Sequence, residues 1–354
     1  VSRDNVENPV NGACARYVNF VRENSGKMDA MFVVGNSNRN IKDGSAFSNS
    51  SQLTREISNS VFGKGSVDAL KKAGLTGVVA NYGKGEQGFD ISSIQFAVHY
   101  MFENEETLEG FARNVCECTK KGGMFIGTTF NGKKVFELLK RNDIKKGESF
   151  AIFKGGDKSK KIVEIVKKYD DDLRFPPDEN SLGYEIGVWQ ESINQYISEF
   201  LVNFEYFDGI MSKYGFEPFF FENRDGGIFS KSRASFEELF RIMKQNHSKN
   251  FAYSKALTMS NEEKSLSFLN DYFIYKKVRD VDCAHLKHAA SGLGLGLGLS
   301  EKQKTFAVYD KQGLILTRLA DILVDHKWKQ VDINSPTADF AWVGATSDEK
   351  KTGF

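Results

Sequence analysis

Gln95-Phe96-x-x-His99-Tyr100 is the stretch of this chain whose residue types are best suited to chemistry. It ends a run over residues 89–98 that reads as a β-strand apolar on both faces, as a central parallel strand covered by helices would be. Its polar and aromatic tips therefore fall at a strand's carboxyl end, the edge at which open α/β sheets bind ligands. The plain alternative is a pair of polar-tipped aromatics packed at a strand end. Cys283-x-His285-x-x-His288 offers three donors of the zinc-ligand type. It has no fourth ligand nearby and borders a linker, so no metal site is expected there. Cys116-x-Cys118 points its thiols in different directions from one helix and reads as core. Gly63-Lys64-Gly65 and Gly83-Lys84-Gly85 lie in polar loops, not at a strand-to-helix turn, and read as flexible connections.

The scaffold that must position these residues is legible as alternating periods. Ala15, Tyr17, Val18 and Val21 recur at helical spacing, and residues 31–34 read as a short buried strand closing on Gly35-Asn36-Ser37-Asn38. Leu108, Phe111, Ala112, Val115 and Cys116 mark the next helix, which Lys120-Lys121-Gly122-Gly123 is expected to close. A strand at 124–129 and a helix through Val135, Phe136, Leu138 and Leu139 continue the alternation. This order predicts a doubly wound α/β domain. Further strands are expected at 149–153, 184–189, 216–221 and 272–275. One helix should carry Phe200, Leu201, Phe204, Phe207, Ile210 and Met211, and another should open on the capping box Ser235-x-x-Glu238. Residues 281–304, with glycine–leucine alternation between Ser291 and Ser300, read as a linker. Beyond them a strand at 306–309, a helix through Leu314, Leu316, Leu319 and Leu323, and a strand at 340–343 resemble the opening of a second α/β domain.

Composition narrows the partners. Lys and Arg number 48 against 47 Asp and Glu, a formal net charge of +1, so no global field draws the chain to nucleic acid or to an anionic membrane. Any contact with a polyanion must be local. Four scattered cysteines suit a reducing compartment. No run of about 18 apolar residues occurs, and the first residues lack a signal-peptide progression, so cytoplasm or nucleus is expected and secretion is not.

Three segments carry a family resemblance. Ile94-Gln-Phe-Ala-Val-His-Tyr-Met-Phe-Glu103, Lys121-Gly-Gly-Met-Phe-Ile-Gly-Thr-Thr-Phe130 and Ser198-Glu-Phe-Leu-Val-Asn-Phe204 follow the order and spacing of mRNA cap guanine-N7 methyltransferases. Asn11-Gly-Ala-Cys-Ala-Arg-Tyr17 and Phe32-Val-Val-Gly-Asn-Ser37 are more similar to the versions in large DNA viruses, where triphosphatase and guanylyltransferase modules are joined to this domain. The resemblance covers roughly residues 1–280. It implies a class I, Rossmann-like S-adenosylmethionine-dependent fold and methyl transfer from S-adenosylmethionine to N7 of the guanosine cap of mRNA. By the same resemblance Phe96, His99, Tyr100, Phe130, Glu199 and Tyr272 would line the cap pocket. Gln95 would lie beside the methionyl group, and Asn36 and Ser37, with Asp43 as an alternative, would contact adenine. Partners would be the capped mRNA 5′ end, capping modules or a stimulatory subunit, in the cytoplasm (viral factory or virion) or the nucleus, with no membrane. No acid–base residue is implied, because N7 already carries a lone pair. For Glu199 the plain alternative is an exposed charge early in a helix, and for the lysines between Lys154 and Lys168 it is a solvated helix rather than phosphate contacts.

The chain departs from that family in two places. The glycine-rich turn after the first strand and the acidic residue ending the second have no counterpart here, and Val1 would fall just after the latter. An N-terminally incomplete domain, lacking its first strands and of low stability, is therefore expected. A catalytically inactive cap-binding or regulatory module is the alternative reading. The final 50 or so residues bear a faint similarity to the opening of tubulin-tyrosine-ligase-like proteins, through Trp328 and Asp339-Phe-Ala-Trp-Val-Gly344.

Overall fold

The computed structural model describes residues 12–24, 30–172, 174–220, 231–246, 253–283, 286, 307–310, 315–318 and 340–343. Two compact units divide the chain, Val1–Ala284 and His285–Phe354.

The main sheet of the first unit is mixed. Strand β1 (Phe89–Gln95) pairs in parallel with β2 (Thr119–Phe130). The helix Glu105–Cys118, capped by Asn104 and Thr107 in a reciprocal box, makes the crossover that a parallel pair requires. A second sheet is wholly antiparallel and runs β3 (Ser149–Phe153), β4 (Lys161–Lys167), β5 (Glu185–Gln190) and β6 (Tyr196–Phe200) in sequence order. The main sheet resumes with β7 (Phe216–Pro218), β8 (Arg233–Ser235) and β9 (Asn270–Lys277). Strand β9 lies antiparallel to β2 on one side and to β7 and β8 on the other.

Strand β9 shows why the sequence folds this way, because both its faces are apolar and both are covered. Phe273 and Tyr275 join Phe125, Phe207 and Phe216 in an aromatic cluster on one face. Tyr272 and Ile274 pack with Ala234, Leu239, Met124 and Ile126 on the other. A further core, with Val135, Leu139, Ile165, Ile186 and Leu201, lies between the helix Gly132–Arg141 and the antiparallel sheet.

Several expectations are corrected. Residues 31–34 form no strand; they are tied to the following loop, with Asn36 N–H donating to the Ala46 carbonyl and Ser50 to that of Val34. Lys120 to Gly123 do not close a helix but begin β2, whose pairing with β1 already starts at Thr119. Strand β1 is not covered on both faces: none of its residues is buried and Ile91 is 57% exposed, and among the described residues it pairs along one edge alone. Ser198 to Phe200 are strand, so the helix expected to start there begins at Phe204. The lysines of 154–168 lie on a hairpin rather than a helix. The strand expected over 216–221 is described only to Pro218.

In the second unit β10 (Ala307–Asp310) pairs antiparallel with β11 (Ile315–Arg318) and β12 (Phe340–Val343). A strand thus stands at 315–318, where a helix was expected. His285 and His288 lie outside the described residues, among which no cluster of metal-ligand type occurs. No helix among the described residues is long and apolar enough to cross a membrane.

Candidate functional site

Strand β1 delivers Gln95 and Phe96 to the carboxyl end of the parallel pair. Phe96 N–H donates to the Thr128 carbonyl at 2.8 Å, and the residue turns with φ 51°. A bulky side chain rarely takes that left-handed conformation, which costs about 1–3 kcal/mol. Its ring stays 53% exposed, edge-on to Phe236 with centroids 6.1 Å apart. Strain held beneath an exposed aromatic marks a presenting position rather than a packing one. Phe96→Gly is accordingly expected to be more stable than Phe96→Ala by about 1 kcal/mol, the reverse of the usual order. Urea unfolding of the two variants checks this, and an alanine advantage would show that the turn relaxes freely.

The 3-10 turn Val98–Glu103 then presents His99 and Tyr100, with ring centroids 4.2 Å apart. Facing them is Glu199 on β6, whose Oε2 lies 3.7 Å from His99 Nδ1. That is beyond a hydrogen bond. The two are not an ion pair either. Burial lowers the His99 pKa to about 4, and burial raises that of Glu199 to about 7. Near neutral pH the ring is therefore uncharged and the carboxyl is poised between its two states. Tyr100 is pushed up as well, first by burial and then by the Glu199 charge. The Thr129 hydroxyl sits 3.5 Å from His99 Nδ1, while Nε2 is buried with no hydrogen-bond partner among the described residues. Buried polar atoms in folded proteins are hydrogen-bonded to protein or water in the large majority of cases, so Nε2 is an available donor or acceptor at this site.

Of the nine residues singled out from sequence, His99, Tyr100 and Glu199 converge directly. Phe96 and Tyr272 share a neighbour in Phe236, which touches the Phe96 ring and packs on the cluster holding Tyr272. Tyr272 itself is buried, with its hydroxyl donating to the Lys231 carbonyl at 3.0 Å. Phe130 lies in the core beneath the antiparallel sheet. The Gln95 amide donates to Ser93 and accepts from Thr128 at 2.8 Å, which fixes it in place on the exposed end of β1. Asn36 and Ser37 lie in a loop fastened to the helix Glu105–Cys118: Asn36 Oδ1 accepts from Asn38 N–H, and the Ser37 carbonyl from Asn114.

Thr128, Thr129, Phe236, Asn38 and Asn114 are supporting residues that the sequence reading passed over. A Thr-Thr pair ending a strand and an aromatic directly after the Ser235 cap were the available signs for three of them.

A family model described as "mRNA (guanine-N(7))-methyltransferase domain" matches residues 68–278. Curated relatives include the mRNA cap guanine-N(7) methyltransferase of Aspergillus fumigatus, 26% identical over 241 residues, which cover 60% of this chain and 35% of that protein. The Aspergillus niger protein of the same name is 29% identical over 159 residues, covering 43% of this chain and 24% of that one. The chain thus spans about a third or less of the length of these relatives. Among solved structures, the CcbJ methyltransferase from Streptomyces caelestis aligns with a TM-score of 0.29 at 11% identity, over 60% of this chain and 71% of that one.

Proposed function

Because the chain belongs to the mRNA (guanine-N(7))-methyltransferase domain family, we propose that it transfers the methyl group of S-adenosylmethionine to N7 of the guanosine cap of mRNA. Its α/β fold, with one parallel and three antiparallel pairings in the main sheet, is of the Rossmann-like class I kind. The observation that carries the reading is the buried Glu199 carboxyl facing an uncharged His99.

Guanine presents two adjacent donors, N1–H and N2–H, and an ionised carboxylate can accept both as charge-assisted hydrogen bonds. Adenine presents an acceptor at N1 and would leave Glu199 unmatched. Phe96 and Tyr100, both partly exposed at this edge, offer ring faces on which a base stacks for about 1–3 kcal/mol. Those faces also favour the positive charge that guanine acquires on methylation. A neutral His99 matters for the same reason, since an imidazolium beside the reacting base would repel that charge. It can hydrogen-bond the base or ribose without supplying a proton.

S-adenosylmethionine, when bound, supplies a methyl group on a positively charged sulfur. Asn36, Ser37 and Gln95 would hold it. The fit rests on Gln95, exposed at the carboxyl end of β1, and on Asn38 Oδ1, a buried acceptor with no partner among the described residues that suits an amino group such as adenine's. No group on the protein needs to take a proton from N7. The chain's contribution is alignment, where effective molarities reach roughly 10⁵ M or more.

The capped mRNA 5′ end is the substrate in this reading, with triphosphatase, guanylyltransferase or stimulatory modules as partners, in cytoplasm or nucleus. Residues 281–284 belong to the first unit, with Cys283 buried, so the linker to a separate C-terminal domain would span residues 285–304. At about pH 8 the full chain should bind the dinucleotide GpppA at least about tenfold more tightly than ApppA and place a labelled methyl on its guanine. Affinity should weaken as the pH falls from about 8 to about 6, because Glu199 takes up a proton through about 7 and loses its acceptor pair. Equal affinity for the two dinucleotides, or a flat pH profile, would overturn the pocket assignment. Selective binding without transfer would favour the regulatory-module alternative.

A further inference from the structure

The antiparallel sheet has an open face that the cap reading does not use. Side chains alternate across a strand, so Tyr196 and Glu199, three residues apart on β6, point to opposite faces. Glu199 faces inward. Tyr196 faces outward, 54% exposed, and pairs across the strands with Trp189 of β5.

Lys161, from β4, lies over both rings, with its ammonium 4.4 Å from the Trp189 centroid and 5.6 Å from that of Tyr196. Glu164 accepts from Lys161, Ser149 and Tyr196. Burial alone would raise the Glu164 pKa, but these bonds outweigh it and hold it at about 2. The cluster is therefore a fixed, self-neutralised floor rather than a collapsed apolar core. Around it opens a groove of about 620 Å³ whose lining also includes Phe153, Lys158, Ser159, Lys160 and Glu191. That volume falls within the roughly 300–1,000 Å³ typical of ligand sites.

Aromatic faces set among lysines are the elements from which single-stranded nucleic acid sites are built, with bases stacking on the rings and phosphates meeting the ammonium groups. Lys158 is exposed and, among the described residues, in no ion pair, while Lys160 is exposed with only a surface pairing to Asp157 at 3.3 Å, and together they supply the charge complementarity that a locally contacted polyanion needs. Strand β6 connects the two sites, placing Tyr196 about 10 Å along the backbone from Glu199. It is also the outermost strand of its sheet among the described residues, so a chain leaving Glu199 has only one edge to round.

We propose that the Trp189–Tyr196 face, with Lys158 and Lys160, is a second RNA site that stacks unpaired bases of the transcript downstream of the cap. This extends the cap-methyltransferase reading and rests on it for the identity of the RNA, though not for the platform itself.

The test uses the full chain, a fluorescein-labelled uncapped single-stranded RNA of about ten nucleotides, and the dinucleotide GpppA. Trp189→Ala and Tyr196→Ala should each weaken binding of the oligonucleotide about tenfold. Trp189→Phe, which keeps a ring, should stay within about twofold of the parent. GpppA affinity should not change in any of the three, and far-UV circular dichroism should confirm the fold. Unchanged oligonucleotide affinity in both alanine variants would overturn the proposal and leave the face to a protein partner. A loss of GpppA binding as large as the loss of oligonucleotide binding would overturn it too, as would a phenylalanine variant no better than alanine. The two readings fail separately: a chain that binds the oligonucleotide through Trp189 but ignores GpppA keeps the platform and loses the cap site, and the converse keeps the cap site alone.

Discussion

Glu199→Gln should weaken GpppA binding by about 100-fold and, at about pH 8, make the folded chain more stable by about 1–2 kcal/mol. The binding loss follows from donor–acceptor matching. Glutamine keeps one acceptor and turns an amide donor toward a guanine donor, so two charge-assisted bonds are lost and one clash is gained, worth about 3 kcal/mol in all. The stability gain follows from linkage. Burial raises the Glu199 pKa from 4.5 to about 7, so the folded chain holds its proton more tightly than the unfolded one. Stability from this group therefore falls as the pH rises through that window and is fully lost above about 7, where the cost is about 3 kcal/mol. Glutamine removes that cost but adds a buried amide needing partners of its own, which reduces the gain.

His99 runs the other way. Its pKa falls from 6.5 to about 4, so the unfolded chain protonates first and stability is lost as the pH falls through that range. In the parent chain the two effects nearly cancel between about 4.5 and 6.5. In Glu199→Gln only the histidine effect remains, and stability should climb with pH across the same interval. Urea unfolding at a series of pH values reads both profiles. If parent and variant ran parallel, Glu199 would not be the buried, proton-sensitive acceptor described above.

Glu199 also shows what the sequence could and could not convey. Strand β9 and the second half of β2 were legible because their apolar runs are continuous, and the cap at Ser235 was legible because capping is local chemistry. Strand β6 was not. Its inward positions are Ile197 and Glu199, and a carboxylate on the core face breaks the period-two pattern by which a strand is known. Phe200, Leu201, Phe204 and Phe207, meanwhile, fit a helical stripe that actually begins only at Phe204. The feature that makes the residue a candidate for binding is the one that hid its element. Strand β4 was obscured in a similar way by the lysines around Ile162, Val163 and Ile165, which read as one charged helix. The placement of β1 at the ligand edge was legible, but its cover was not, because a strand's own residues do not say what packs on its faces.

Removing the Asn114 side chain is the other change expected to have a large effect, and it acts on the cofactor side alone. Nothing in the local sequence marks this residue, since an asparagine within a helix ordinarily faces solvent. Here it is 3% exposed. Its Nδ2 donates to the Ser37 carbonyl at 2.8 Å and to that of Arg39 at 2.6 Å, and its Oδ1 accepts from Ile41 N–H at 2.9 Å. One turn earlier on the same helical face, Gly110 lets the loop lie close: a β-carbon there would stand 2.2 Å from the Asn38 carbonyl oxygen. One turn later, Glu117 accepts from Asn40 at 2.8 Å. Gly110, Asn114 and Glu117 thus form a stripe that seats residues 36–41 along the helix, with Asn114 as its hub. Asn114→Ala removes three hydrogen bonds of about 1 kcal/mol each, so stability should drop by about 2–3 kcal/mol. If Asn36 and Ser37 hold the cofactor, S-adenosylmethionine affinity should fall about tenfold or more in a sample kept well below its melting temperature. GpppA affinity should stay within about twofold, because His99 and Glu199 take no support from this loop in the contacts described. Asn114→Asp, which keeps the acceptor for Ile41 but turns a buried carboxylate oxygen toward the Ser37 and Arg39 carbonyls, should be at least as damaging as alanine. A destabilised Asn114→Ala chain with undiminished S-adenosylmethionine affinity would make the loop purely structural and move the adenine contact elsewhere.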